Sequence, residues 1–214
     1  MKTIALLLLT ECLVAGLAQA GSYDPMEDLV STAKKEINAK EAIDQSKNRV
    51  MNDPRKEKVE RGFWQFFQGK RGAKPGEACT AVYWQQDRMI SIIGPGGGYH
   101  GALLGFVAVN PDSSFPRPDN SKDTQKVKVT LKQGTDAPAT VTVLNSTIAE
   151  HSDQLLFAVP TIEAALAGME DRLKFSIDHG GKKVFELEWH SGLAARDILK
   201  QCLKGETVDG KEVL

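Results

Sequence analysis

The chain has 214 residues, and 27 Lys plus Arg against 28 Asp plus Glu leave a formal net charge of −1. That balance excludes a partner captured by bulk electrostatics, such as the phosphates of a nucleic acid. With 41 % hydrophobic and 26 % charged residues, the composition suits one folded domain with an appendage and excludes both a wholly disordered chain and a polytopic membrane protein.

Met1-Lys2 is a short positive start, and an apolar stretch runs from Thr3 to Leu17 with a break at Glu11. Ala18-Gln19-Ala20 then supplies a small-x-small cleavage pattern before Gly21. Residues 1–20 therefore read as a Sec-type signal peptide, with an apolar stretch shorter than the ~20 residues a membrane span needs. Cys12 follows Leu9-Thr10-Glu11 rather than small residues, which argues against a lipid anchor. The expected location is periplasmic or secreted, with no transmembrane span after cleavage.

From Gly21 to Arg61 the chain is charge-rich, with Met26, Leu29, Val30, Ala33, Ile37, Ile43 and Val50 at irregular helical spacing. Asp24-Pro25-Met26-Glu27 opens a helix well: Asp at the N-cap, Pro at N1 and a carboxylate at N3. Asp53-Pro54 repeats the opening, so a helix of about 25 residues and a short second helix ending at Gly62 are expected. This arm, residues 21–61, carries a thin apolar stripe. Its lysines and arginines alternate with acids, the pattern of a solvated face.

Beyond Gly62, short apolar runs separated by Gly, Pro, Asn and Asp mark an antiparallel β protein. Nine strands are expected: Phe63–Phe67, Cys79–Trp84, Met89–Ile93, Ala102–Val109, Val127–Leu131, Thr140–Leu144, Leu155–Val159, Leu173–Ile177 and Val184–Trp189. In Lys126-Val127-Lys128-Val129-Thr130-Leu131-Lys132 the alternation is unbroken, so that strand has one wet face. Helices are expected from Thr161 to about Arg172 and from Leu193 to Leu203, the latter with Ser191 as cap. The predicted fold is mainly β (α+β): an antiparallel β-sandwich-like domain over 62–214, with two packed helices and the arm before it.

In an oxidising compartment, Cys79 and Cys202 are the two cysteines left after cleavage, and a disulfide between them is the first expectation. Ala194, Ile198 and Cys202 recur at i, i+4 and i+8, which turns Cys202 toward the core. The alternative, a metal-binding or nucleophilic thiol, has no Cys-x-x-Cys motif behind it.

Four other residues are candidates for contact with a ligand or partner. Trp64 and Phe66 lie in the aromatic run Phe63-Trp64-Gln65-Phe66-Phe67, which either enters the core, with its second face covered by the arm, or forms an exposed binding edge. Tyr99 and His100 leave the glycine-rich stretch Gly94 to Gly101. Its Gly-x-Gly-x-x-Gly spacing matches a dinucleotide fingerprint formally, but Ala102 to Val109 reads as a strand, not the helix that fingerprint needs, so a connection between strands is expected.

Glu186, Glu188 and His190 share one face of a strand and imitate a metal set. A three-residue loop His179-Gly180-Gly181 would instead pair Phe175 with Phe185 and Leu173 with Leu187. It would place Lys174, Asp178 and Arg172 opposite Glu186, Lys182 and Glu188, explaining the carboxylates as ion pairs. His151 reads as a solvated turn residue, and Asn145-Ser146-Thr147 is a glycosylation sequon. No hydrolase elbow or His-Glu-x-x-His motif occurs.

The order of signal peptide, aromatic strand with Trp64, Cys79, and a terminal amphipathic helix ending in Cys202 resembles that of small periplasmic proteins such as the invasion-associated locus B group. Three residues carry the likeness, and no function or site is transferred through it. The functional expectation is an exported, non-catalytic binding or interaction protein without cofactor, whose partner is a protein or an envelope component. The alternatives are a small periplasmic hydrolase or other enzyme acting through His100 or His190, and a structural protein that self-associates through the arm.

Overall fold

The computed structural model describes residues 56–109, 114–118, 124–149 and 152–214. The expected signal peptide, the arm up to residue 55, and His151 lie outside the described residues. The elements are α1 (Lys56–Arg61), β1 (Phe63–Gln68), β2 (Cys79–Gln85), β3 (Arg88–Ile93), β4 (Ala102–Ala108), β5 (Thr124–Gln133), β6 (Ala139–Ala149), β7 (Ser152–Val159), α2 (Ile162–Ala167), β8 (Leu173–His179), β9 (Lys182–Trp189), α3 (Gly192–Leu203) and β10 (Glu212–Val213). All nine expected strands form, and β10 is an addition that apolar patterning over two residues does not reveal.

The strands make one antiparallel sheet in the order β10-β1-β2-β3-β4-β7-β6-β5-β8-β9. This corrects the expected sandwich. Strands β4 and β7 pair from Ala102↔Val159 to Ala108↔Asp153, so the two halves are continuous. The sheet curls into a half-barrel. Strand twist favours such curvature, and the apolar side chains of the concave face make it productive. Phe106 of β4 lies 5.2 Å from Phe157, 5.4 Å from Phe175 and 5.2 Å from Phe185, so rings from β7, β8 and β9 converge on it. Ile162 and Leu166 of α2 and Ala195 and Leu199 of α3 join this same core.

The local chemistry follows the sequence closely where alternation is strict. In β5, Lys126 and Lys128 are exposed while Val129 is buried, and Val127 and Leu131 pack against the core. Helix α2 is shorter than expected. Thr161 caps it, its hydroxyl accepting from Ala164 N at 3.1 Å, but it stops at Gly168, and Leu173 starts β8.

The β8–β9 hairpin also differs from expectation. Its loop is the two-residue Gly180-Gly181, both with positive φ (57° and 76°), as a tight hairpin turn demands. A register shift beyond Ile177 then restores parity: Ile177 faces Phe185, Phe175 faces Leu187 and Leu173 faces Trp189. One extra residue in β9 thus keeps the aromatic side chains inward without the three-residue loop. Two of the three expected ion pairs form because long side chains reach diagonally. Asp178 faces Lys183 rather than Lys182, and Lys183 pairs with Glu186 along β9. Lys174 meets Glu186 at 3.2 Å, Arg172 meets Glu188 at 2.5 Å, and Lys183 meets Glu186 at 2.5 Å.

Cys79 and Cys202 form a disulfide with Cα atoms 5.8 Å apart, joining the start of β2 to the last turn of α3. It closes a long loop, 123 residues in sequence separation, so it constrains the unfolded chain strongly. Replacing both cysteines by alanine is expected to lower the unfolding free energy by about 2–5 kcal/mol in urea titration, and reductant should have the same effect on the unaltered protein.

Candidate functional site

Two glycines and one strained residue shape a cleft between α1 and the end of β9. Helix α1 ends where Gly62, at φ +90°, turns the chain into β1; a Cβ there would lie 2.1 Å from the Tyr83 hydroxyl. At the other wall, β9 ends at Trp189, and Ser191 takes a left-handed conformation (φ 56°, ψ 26°) before Gly192. Only glycine fits at position 192, since a Cβ would meet Glu170 O at 2.1 Å. Ser191 makes no side-chain cap, contrary to expectation. Its hydroxyl turns away and donates to Leu214 O at 3.0 Å.

The resulting cleft, about 660 Å³, is lined by Glu57, Lys58, Arg61, Gly62, His190 and Leu214. His190 is held at both ring nitrogens. Nε2 lies 3.1 Å from Arg61 O, and Nδ1 lies 3.1 Å from Ser191 Oγ. Its ring meets Tyr83 edge-on at 5.3 Å. Arg61 O also accepts from the Tyr83 hydroxyl at 3.4 Å and from Gln85 Nε2 at 3.2 Å. The charged side chains are paired: Lys58 with Glu212, and Arg61 with Glu57 one helical turn away. The Lys58 ammonium also lies 4.1 Å from the centre of the Phe63 ring.

Tyr83, behind the cleft, is strongly shifted. Burial, and then the negative charge of Glu188, push its phenol up to about 12.

A second, charged cleft of about 400 Å³ lies between the β2–β3 turn and the β8–β9 hairpin, lined in part by Asp87, Arg88, Lys174, Glu186 and Glu188. Hydrogen bonds from Lys183 and then Lys174 hold the Glu186 carboxyl below its ordinary value. The three residues that imitate a metal set thus each have protein partners, and no cluster of three or more His, Cys, Asp or Glu able to hold a metal occurs among the described residues.

The residues singled out for partner contact do not come together. Trp64 and Phe66 are 0 % exposed and point into the concave core, and Tyr99 is 1 % exposed, so these three form no exposed patch. Of the two places open to the aromatic run, core or binding edge, the Trp64 and Phe66 rings take the core. Tyr99 is drawn inward by a tight turn in which Gly96 and Tyr99 exchange main-chain bonds at 3.1 Å, and its hydroxyl donates to Ala102 O at 3.0 Å. His100 alone of the four is exposed. The glycine-rich stretch joins β3 to β4, with no helix after it to receive a pyrophosphate. Asn145 of the sequon is 1 % exposed, which leaves no surface position for a glycan in the folded protein.

Glu57, Lys58, Arg61, Gly62 and Leu214 are site residues that sequence reasoning missed. They meet His190 only through contacts that no local pattern encodes, Arg61 and His190 being 129 positions apart. Compared with known proteins, the chain matches no family model, no curated protein and no solved structure. The likeness of layout carried by Trp64, Cys79 and Cys202 gains nothing from them.

Tyr83 makes a testable contribution. Its phenol binds its proton more tightly in the folded than in the unfolded chain, so the stability it contributes is complete below pH ~10 and lost as pH rises toward about 12. Phenolate absorbance followed against pH should show a component titrating near 12 that is absent in Tyr83→Phe, and this variant should lose less stability than the parent over that interval.

Proposed function

We propose that the protein acts outside the cytoplasm, in the periplasm or secreted, as a non-catalytic binding or interaction protein whose partner is another protein or an envelope component. Export is supported by the leader-like first twenty residues and by the Cys79–Cys202 bridge, which persists only where thiols are not kept reduced. The observation that carries the binding reading is the cleft around His190. Its walls are fixed by Gly62, Gly192 and the left-handed Ser191, and its polar groups are held by neighbours. A preorganised concavity with anchored polar atoms loses little entropy when it takes a guest. Leu214, 69 % exposed at its rim, offers apolar surface next to the Glu57–Arg61 pair. No helix among the described residues is long and apolar enough to cross a membrane.

Native mass spectrometry of protein taken gently from its source, followed by the denatured, non-reduced mass, tests this reading. The expected result is a chain beginning at Gly21, lighter by the two hydrogens of a disulfide, with a retained partner that Leu214→Glu releases while thermal stability is unchanged. A chain that starts at Met1 with free thiols would contradict export. A partner kept by the variant would contradict this cleft as the contact.

A further inference from the structure

Between α2 and the concave face of the sheet lies a cavity of about 130 Å³, walled on the sheet side by Ile92, Leu104, Val159, Phe175 and Trp189 and roofed by α2. The roof is high in the middle because of one residue. Ile162, Leu166 and Met169 stand on the inward side of α2 and the turn after it, and all three are buried. Ala165, which shares that side, carries only a methyl group and lines the space. Well-packed interiors hold few voids larger than a water molecule, so this one stands out.

The cavity is open to solvent. Leu104 belongs to β4, with β3 and β7 on either side, yet it is only half-buried, as is Val159, and Ala164 and Gly168 at the rim are exposed. A guest therefore has a way in without unfolding. Water is a poor guest, because an ordered water wants roughly two to four polar partners. The Trp189 indole N–H is already engaged by Glu170 O at 3.0 Å. That leaves Gln133 as the polar side chain of the lining. It pairs with Phe175 between β5 and β8, which sets it on the concave face, and its Nε2 lies 3.7 Å from where a Cβ on Gly168 would stand.

We infer that this cavity binds a small neutral aromatic molecule, a single ring of the size of phenol, held between α2 and the Phe175–Trp189 pair with its polar substituent toward Gln133. The volume sets the size, since apolar cavities of roughly 150 Å³ accept benzene. The walls set the chemistry. Phe175 and Trp189 have ring centres 4.7 Å apart and planes inclined by 60°, the kind of tilted contact that a third ring can extend. None of the described residues that line the cavity is charged, so nothing there favours an ion. The Gln133 amide can donate or accept, which suits a hydroxyl. This cavity shares no lining residue with the His190 cleft, and the inference does not depend on the role proposed for that cleft.

Methyl-resolved NMR of the disulfide-bonded protein titrated with phenol tests the inference. Saturable shifts are expected at the methyls of Leu104, Val159 and Ala165, with cross-relaxation from the phenol ring protons to the same methyls, while Val82 in the separate convex cluster stays unmoved. Shifts that fail to saturate in the millimolar range, or cross-relaxation to other methyls only, would overturn it. Ala165→Leu, which fills the space, should abolish the shifts at Leu104 and Val159, and their persistence in the folded variant would contradict the site. Cross-relaxation in the parent decides the matter even if that variant unfolds. Gln133→Leu should weaken phenol several-fold and benzene much less; equal weakening of both probes, or of neither, would overturn the part assigned to Gln133.

Discussion

Trp64 holds the two ends of the sheet together. It sits on β1, next to one edge, yet its ring packs on Trp189 of β9, the other edge, at 5.2 Å, and its indole N–H donates to His190 O at 2.7 Å. A curled antiparallel sheet that does not close by a strand ladder leaves main-chain groups along its edge to be satisfied. Here side chains from across the opening do so. Arg88 donates to Glu186 O at 2.6 Å while its guanidinium lies 5.7 Å from the Phe185 ring centre, and Ser114 donates to Val184 O at 3.4 Å. Trp189 donates in turn to Glu170 O at 3.0 Å, which ties the end of β9 to the turn before β8.

The cleft is a consequence of that closure. Once His190 O is taken by Trp64, the chain must turn sharply into α3, and the left-handed Ser191 followed by Gly192 accomplishes the turn. The imidazole is then aimed at Arg61 O, and α1, β9 and the last residues are brought around one concavity. The disulfide secures the same arrangement from the far end of α3, fixing the helix to β2 beside the core. Fold and candidate site therefore depend on one set of contacts.

Strand identity was legible because apolar alternation is a local property: Val127, Val129 and Leu131 declare their face without reference to the rest of the chain. The disulfide was legible from cysteine count and redox chemistry, whereas the helical spacing read through Ala194 was off by one: Ala194 is exposed, and Ala195 and Leu199 are the residues buried with Cys202. The closed curvature was not, since joining β4 to β7 and bringing β9 back to β1 are choices among pairings that the same patterns allow. The hairpin shows how a parity argument fails: a bulge near Lys183 lets a Gly-Gly loop coexist with an inward Phe175, and flexible Lys174 and Arg172 reach their carboxylates in either register. Trp64, Phe66 and Tyr99 were recognisable as special. Their burial was not, because an aromatic run reads alike whether it meets a partner or the opposite side of its own sheet.

Joint action of Trp64 and Trp189 in closing the half-barrel is the central claim, and a double-mutant cycle addresses it directly. Unfolding free energies of Trp64→Phe, Trp189→Phe and the double variant, measured by denaturant titration, should be non-additive, with a coupling of roughly 0.5–1.5 kcal/mol. Additivity within about 0.3 kcal/mol would mean that the two rings stabilise the sheet independently, and would contradict that claim.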